Sequence, residues 1–292
     1  MLVFTVCHIN QLANACLLGD SLKVQNPNYQ YFIGLVDDKD NIPTDFKTPY
    51  SIIDILEISI DGFPEMAQRY TQDELLADCK PFFIEYFIQK SERIIYFDCQ
   101  TIIHQSISFL SEILDNQSII LVPQLLYAGI HPDEKQILNT GIYHSGVLAL
   151  KKSNEVSAFL TWWGSNTRSK GFRDLCRGLN ADQLWLEHVP ALYENVHILK
   201  HEGINIGFWN LPERNSPQLK SMEGLVSENF SGSKFSKEYQ AKLTKYNVQS
   251  LKGIIPTFGK SNPVKKTFRQ SLARNIRSFN NIIDVIIDKF TS

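Results

Sequence analysis

Residues 94–100 read IIYFDCQ. The first four are apolar and either β-branched or aromatic, which is typical of a buried strand. The polar residues that follow, Asp98 to Gln100, mark the point at which this strand ends. In open α/β sheets, ligands bind beyond the carboxyl ends of the strands. This stretch therefore predicts both a central strand and the edge of a binding site.

Similar strands alternate with helices through the first half of the chain. We predict strands at 2–7, 31–36 and 52–58, and helices at 12–24 and 80–88. Alternation of this kind over about 120 residues is typical of α/β proteins with a mostly parallel sheet. We therefore predict an α/β fold in which a mixed, mostly parallel central sheet is flanked by helices.

The second half of the chain continues with less regular spacing. We predict a strand at 141–150, a helix at 156–163, a helix that opens at 180–186 and a strand at 196–199. Asn180 fits the N-cap position of the second of these helices, since Asn is favoured there.

Composition excludes several classes of protein. The 292 residues are 43% hydrophobic and 21% charged, with a net charge of −2, as in an ordinary globular protein. No run approaches the roughly 18 to 20 apolar residues that a membrane-spanning helix needs. The N-terminal MLVFTVCHIN is interpreted as a strand rather than a signal peptide. Five cysteines without a C-x-x-C pair argue against a zinc module or a disulfide framework, and indicate a reducing compartment.

Charge is unevenly distributed along the chain. Residues 1–232 hold 17 Lys and Arg against 28 Asp and Glu, whereas residues 233–292 hold 12 against 3. We therefore divide the chain into a body at 1–232 and a basic C-terminal extension at 233–292. Apolar residues within 264–290 recur at spacings of three and four, which predicts an amphipathic helix. This helix either binds an anionic membrane surface or packs its apolar stripe on the body.

The common nucleotide and hydrolase motifs are absent from the sequence. No G-x-G-x-x-G or P-loop follows a strand, and no G-x-S-x-G or H-E-x-x-H occurs. The L-x-x-G-x-G-T-R-L loop of sugar nucleotidyltransferases is missing as well. The basic extension lacks the interleaved aromatic residues that bind single strands, so we predict no nucleic-acid partner.

Taken together in order, several motifs resemble those of GT-A-type glycosyltransferases related to glycosyltransferase family 8. These motifs lie between residues 3 and 237 and read NQLANACLLGDSL, LVDD, CKPF, IIYFDCQ, TGIYHSG, FLTWW, ADQLWL, GINIGFWNLPER and NFSG. The resemblance implies a GT-A catalytic domain that moves a sugar from a nucleoside-diphosphate sugar to a glycan or lipid-linked acceptor. It also implies a role in cell-surface polysaccharide or lipopolysaccharide synthesis, in the cytoplasm or on the inner face of the membrane.

Relatives usually carry D-x-D after the central strand and H-F-S-G later, and these motifs hold Mn²⁺ or Mg²⁺. The resemblance places Asp98, Gln100 and Asn229 at those positions, so two usual ligands are replaced by amides. Three interpretations stay open. The metal binds weakly through the carboxylate and amide oxygens, or Lys80 and other cations carry the phosphate charge without metal, or the domain binds a ligand without catalysis.

The resemblance also implies roles for other residues at the strand ends. The residues proposed to bind the donor contact its base, ribose or phosphates or form a polar wall of the site. They are Thr5, His8, Asn10, Asp37, Lys80, Gly141 and His144. The motif TGIYHSG departs from the usual Y-N-x-G, because His144 stands at the position of the Asn. Three roles therefore stay open for His144: a base, a ligand or a residue of the core.

Asp182 and Gln183 are the catalytic candidates that the resemblance implies. An inverting enzyme would need Asp182 as a base, whereas a retaining enzyme would need a stabilising polar group held in register. Asp182 could also be an ordinary carboxylate at a helix N-terminus. We assign Asn205, Trp209 and Asn210 to the acceptor side. The alternative function is a non-catalytic nucleotide-sugar-binding or scaffold protein with the same fold.

Overall fold

The computed structural model describes residues 1–129, 134–214, 216–230 and 237–261. Its strands are β1 (Leu2–Cys7), β2 (Gln30–Leu35), β3 (Ser51–Asp54), β4 (Arg93–Phe97), β5 (Thr101–Ile103), β6 (Ile119–Pro123), β7 (Tyr143–Lys151), β8 (Arg173–Asp174), β9 (Leu179–Asn180), β10 (Val196–Ile198) and β11 (Ser227–Asn229). Its α-helices are α1 (Leu12–Gln25), α2 (Phe63–Arg69), α3 (Gln72–Asp78), α4 (Lys80–Ile88), α5 (Ser108–Ile113), α6 (Glu134–Thr140), α7 (Asn154–Lys170), α8 (Val189–Leu192), α9 (Pro217–Lys220), α10 (Lys237–Leu243) and α11 (Val248–Leu251).

The main sheet of the described chain has seven strands in the order β10-β6-β7-β4-β1-β2-β3. Strand β7 is antiparallel to both of its neighbours, β4 and β6, and the other neighbouring pairs are parallel. Strand β11 pairs with β5 in a small antiparallel sheet. The predicted α/β fold with a mixed, mostly parallel sheet is confirmed.

Two hydrophobic cores lie on the two faces of the sheet, because successive strand residues alternate between faces. On β4, Ile95 and Phe97 belong to the core that α1 covers, whereas Ile94 and Tyr96 belong to the core that α4 and α7 cover. These four side chains are at most 1% exposed. At about 1.5–3 kcal/mol for each large apolar side chain, their burial strongly fixes the register of the central strand.

Strand β3 is shorter than the predicted strand at 52–58. It ends at Asp54, whose Oδ1 accepts hydrogen bonds from the backbone N–H groups of Leu56 at 3.1 Å and Glu57 at 3.0 Å. An Asp side chain that bonds to the backbone ahead of it stabilises a turn. The chain therefore turns where the apolar composition alone predicted a longer strand.

The helix predicted to open at 180–186 is also different in the structure. Asn180 ends β9 instead of capping a helix, and its Nδ2 donates to the backbone oxygen of Thr140 at 2.7 Å. A short 3₁₀ helix follows at Leu184–His188. In contrast, the helix predicted at 156–163 is present and continues to Lys170.

The first compact unit runs from Met1 to Lys260 and so extends past the boundary suggested at residue 232. Tyr239 and Tyr246 are buried in the body, at 1% and 5% exposure. The backbone of Lys260 exchanges hydrogen bonds with Tyr70 and Gln72. The amphipathic helix predicted at 264–290 lies outside the described residues. Among the helices that are described, none is long and apolar enough to cross a membrane.

Candidate active site

A cavity of about 450 Å³ lies beyond the carboxyl ends of β1 and β4. Helices α3 and α4 form one side of it, and the start of β7 and the turn after β9 form another. Six of the residues proposed from the sequence line this cavity, namely Lys80, Asp98, Gln100, His144, Asp182 and Gln183. The fold thus brings together side chains that are up to about one hundred residues apart in the sequence.

Lys80 lies at the centre of the site and is only 7% exposed. It is the first residue of α4, and the buried aromatic residues of that helix anchor it against the sheet. The Lys80 ammonium lies 2.9 Å from Asp182 Oδ2 and 3.7 Å from Asp98 Oδ1. It donates a hydrogen bond to Ser145 Oγ at 2.9 Å. Burial lowers the pKa of Lys80, but the carboxylates of Asp182 and Asp98 raise it above the ordinary value, so the ammonium stays charged.

Asp98 is held by neighbours on both carboxylate oxygens. Tyr96 donates its hydroxyl to Oδ1 at 2.8 Å, and Asn229 donates its amide Nδ2 to Oδ2 at 3.2 Å. Burial raises the pKa of Asp98, but Lys80 and these hydrogen bonds lower it below the ordinary range. Asp98 is therefore an anion at neutral pH.

His144 lines the cavity, and the indole of Trp209 packs against its imidazole. The two rings stack with centroids 4.3 Å apart and an interplanar angle of 8°. The backbone N–H of Gly146 donates to His144 Nδ1 at 2.9 Å, which assigns the imidazole proton to Nε2. Burial lowers the pKa of His144 from 6.5 to about 4. The side chain is consequently a neutral hydrogen-bond donor, and not a cation, near pH 7.

Asp182 and Gln183 follow β9 through a tight turn. Ala181 has a φ of +46°, in the left-handed region that non-glycine residues rarely adopt. The backbone oxygen of Asp182 accepts a hydrogen bond from the indole of Trp163 at 2.9 Å. Gln183 accepts a hydrogen bond from the N–H of Ser145 at 3.3 Å. Asp182 is therefore fixed by the Lys80 ion pair and the turn, and does not lie at the N-terminus of a regular helix.

The residues proposed for the base and ribose are not among those that line this cavity. His8 Nε2 is 2.9 Å from the backbone oxygen of Gln72, and Asp37 accepts hydrogen bonds from the N–H groups of Ile9 and Thr257. Asn10 is exposed, and the remaining residue of this group, Thr5, is buried in β1. Asp37 thus holds the segment near Thr257 over the strand ends, and the donor-binding role of these four residues stays a prediction.

The proposed acceptor residues have different positions. Trp209 stacks on His144, and Asn205 Oδ1 lies 3.5 Å from Asn229 Nδ2. Asn210 is 1% exposed; its side chain accepts a hydrogen bond from the N–H of Gly207 and donates to the backbone oxygens of Gln124 and Asn205. Gly141 has a φ of +118°, which favours glycine, and lies in the turn before β7. The acceptor role of Asn210 and the donor role of Gly141 stay predictions.

Several residues of the cavity were not proposed from the sequence. They are Gln11, Asp73, Tyr96, Ser145, Arg173 and Asn180. Tyr96 lies inside the motif IIYFDCQ and Ser145 inside TGIYHSG, so the neighbouring residues already indicated this part of the site. Arg173 reaches the cavity on the β8–β9 hairpin, and nothing in its local sequence indicates that position.

Sequence comparison finds a curated relative that matches part of the chain. No protein-family model matches the chain. The uncharacterized protein YfnF of Bacillus subtilis (strain 168) is 23% identical over 152 residues. That match covers 50% of this chain and 50% of YfnF, so the chain spans about half the length of the curated relative it matches.

Solved structures are similar over most of the chain. The galactosyltransferase LgtC, solved with donor and acceptor sugar analogs, has a TM-score of 0.52 at 13% identity and covers 88% of this chain and 98% of its own. The bifunctional glycosyltransferase WbbM has a TM-score of 0.53 at 12% identity, covering 86% of this chain and 51% of its own. GlyE of Streptococcus pneumoniae TIGR4 has a TM-score of 0.50 at 13% identity, covering 89% of this chain and 65% of its own.

The chain therefore has the GT-A glycosyltransferase fold, as the order of its motifs implied. Within that fold it is structurally similar to LgtC, a galactosyltransferase. The similarity at this level of identity defines the architecture. The residues of the cavity define the chemistry that the site can perform.

Proposed function

We propose that this protein transfers a sugar from a nucleoside-diphosphate sugar to a hydroxyl of a glycan or lipid-linked acceptor. One observation carries the proposal: Lys80, Asp98, Asp182 and Gln183 line one cavity at the carboxyl edge of a GT-A sheet. A volume of about 450 Å³ falls within the range of small-molecule sites.

The positive groups of the cavity suit the leaving group. Glycosyl transfer from such a donor leaves a nucleoside diphosphate, and preorganised cations stabilise the charge that develops on it. Lys80 and Arg173 supply positive charge to a cavity that Asp73, Asp98 and Asp182 also line. The contacts of the buried Lys80 ammonium already fix its position, so the group needs little reorganisation during the reaction.

Asp182 is suited to electrostatic stabilisation because its position is fixed. Its carboxylate lies 2.9 Å from the Lys80 ammonium. An anion held in place can stabilise positive charge that develops on the sugar ring in the transition state. Gln183, beside it, offers an amide to the sugar or acceptor hydroxyls.

The acceptor enters, in this proposal, beside the stacked rings of His144, which lines the cavity, and Trp209. A flat aromatic surface packs on the apolar face of a sugar ring, and the neutral Nε2–H of His144 can donate to a hydroxyl.

A role in cell-surface glycan synthesis at the cytoplasmic face of the membrane is part of the same proposal, and rests on the resemblance and on the basic extension.

Binding and turnover of donors test this function together. The protein is incubated with UDP, GDP, CMP and dTDP sugars, and thermal stabilisation and release of free nucleotide are measured. We expect one nucleotide class to stabilise the protein and to be turned over when an acceptor is supplied. Stabilisation without any hydrolysis or transfer would instead indicate the non-catalytic binding protein, and neither effect would contradict both functions.

A further inference from the structure

The position at which relatives hold a divalent cation is occupied here by hydrogen-bond donors. Asp98 retains the first carboxylate of the D-x-D pattern, and each of its oxygens already accepts a hydrogen bond. These bonds come from Tyr96 and Asn229. A hard cation needs free oxygen lone pairs from several ligands, preferably charged ones. Asp98 is therefore a single charged ligand at this position, and the groups beside it decide whether an ion is held.

Asn229 presents its amide nitrogen, and not its oxygen, to this position. Its Nδ2 lies 3.2 Å from Asp98 Oδ2 and 3.5 Å from Asn205 Oδ1. Because both neighbouring atoms are acceptors, the N–H₂ group is the end of the amide that fits between them. An amide N–H₂ group is not a ligand for Mg²⁺ or Mn²⁺, which take oxygen ligands at such sites.

Lys80 adds a fixed positive charge at the same place. The ammonium is 3.7 Å from Asp98 and 2.9 Å from Asp182, so a single monovalent cation bridges the two carboxylates. A dication placed beside Asp98 would be repelled by this ammonium. Within the residues that the structure describes, no group of three or more His, Cys, Asp or Glu side chains is arranged to hold a metal ion. The residues present do not fit a divalent metal.

We infer that the site binds its nucleotide donor without a divalent cation, with the Lys80 ammonium in the position of the metal. Arg173 provides a second positive charge from the cavity rim. This inference rests on the proposed function for the identity of the ligand. The poor fit of the described side chains to a divalent cation does not depend on that function and can be tested separately.

Manganese binding to the full-length protein is the first test. Electron paramagnetic resonance of Mn²⁺ is recorded with the wild type and with a Gln100→Asp, Asn229→His variant, which restores both usual ligands. We expect no bound Mn²⁺ in the wild type, with or without UDP or GDP, and clear binding in the variant. Bound Mn²⁺ in the wild type would overturn the inference, whether or not a nucleotide binds.

Nucleotide affinity is the second test, measured by calorimetry with Mn²⁺ and with EDTA. We expect the wild-type affinity to change by less than about twofold between the two conditions, and that of the restored variant to fall at least about tenfold in EDTA. Wild-type affinity that is lost in EDTA would contradict the inference. If UDP, GDP, CMP and dTDP all fail to bind in both conditions, the proposed function fails, and the Mn²⁺ spectra still decide whether a metal site exists.

Discussion

The Lys80 ammonium lies 2.9 Å from the Asp182 carboxylate, with both side chains less than one-tenth exposed. Buried charges of this kind persist only when they are paired, because each would otherwise lose its hydration without compensation. Removal of either partner would therefore leave the other as an uncompensated buried charge. The pair also joins the start of α4 to the turn after β9.

Breaking this pair should strongly destabilise the protein. We expect Lys80→Met to lower the free energy of unfolding by about 3–5 kcal/mol, since it leaves Asp182 and Asp98 as neighbouring buried anions. Adding Asp182→Asn should recover part of that loss, and urea unfolding measures both effects. The exposed Lys152→Met serves as a control and should change little. Strictly additive effects of the two site substitutions would show that the residues are not coupled.

Acid should destabilise the protein through His144. The folded pKa is about 4 against 6.5 for a free imidazole, so the unfolded chain binds a proton that the folded protein excludes. The contribution is complete above pH 6.5 and is lost as the pH falls towards 4, by at most about 3 kcal/mol. Urea unfolding at several pH values should give a shallower dependence for His144→Asn. Equal slopes for both proteins would contradict the buried neutral imidazole.

Trp209 should affect the acceptor more than the donor. We expect Trp209→Ala to raise the KM for the acceptor while the affinity for the nucleotide stays nearly unchanged, because the indole stacks on His144 and does not line the cavity itself. Trp209→Phe keeps an aromatic ring and should retain most of the acceptor binding. A selective loss of nucleotide affinity would place this residue on the donor side instead.

The basic extension gives a prediction about membranes. If residues 264–290 bind an anionic surface, replacing Lys265, Lys266 and Arg269 by Gln should weaken binding of the full-length protein to phosphatidylglycerol vesicles. Each basic residue near the surface contributes about 1 kcal/mol, so the combined loss should be easy to detect by co-sedimentation. Vesicle binding that is equal for both proteins would favour packing of this helix on the body.

Much of the fold could be predicted because its strands carry a strong local signal. Residues 94–97 are apolar and buried on both faces of the sheet, and such a run is typical of a central strand. The end of β3 could not be predicted in this way. It depends on hydrogen bonds from the Asp54 carboxylate to the next residues, and these compete with the β propensity of the residues at 55–58.

The candidate site was predicted in part, for a related reason. Asp98 and Lys80 are next to strong secondary-structure signals, so their positions follow from the elements that carry them. His8 and Asp37 also follow strands, but a distant segment near Thr257 bonds to Asp37 and covers this strand end. A long-range contact of this kind leaves no pattern in the local sequence, and neither does the hairpin that brings Arg173 to the cavity.

Nucleotide release from sugar donors, compared between the wild type and Asp182→Asn, tests the central claim most directly. The variant Asp61→Asn, at a carboxylate that is 97% exposed, is the matched control. We predict that the wild type and the control turn over one nucleotide class equally, and that Asp182→Asn is slower by at least about 100-fold while still folded. Equal rates for all three proteins, or turnover of no donor class by the wild type, would contradict glycosyl transfer at this site.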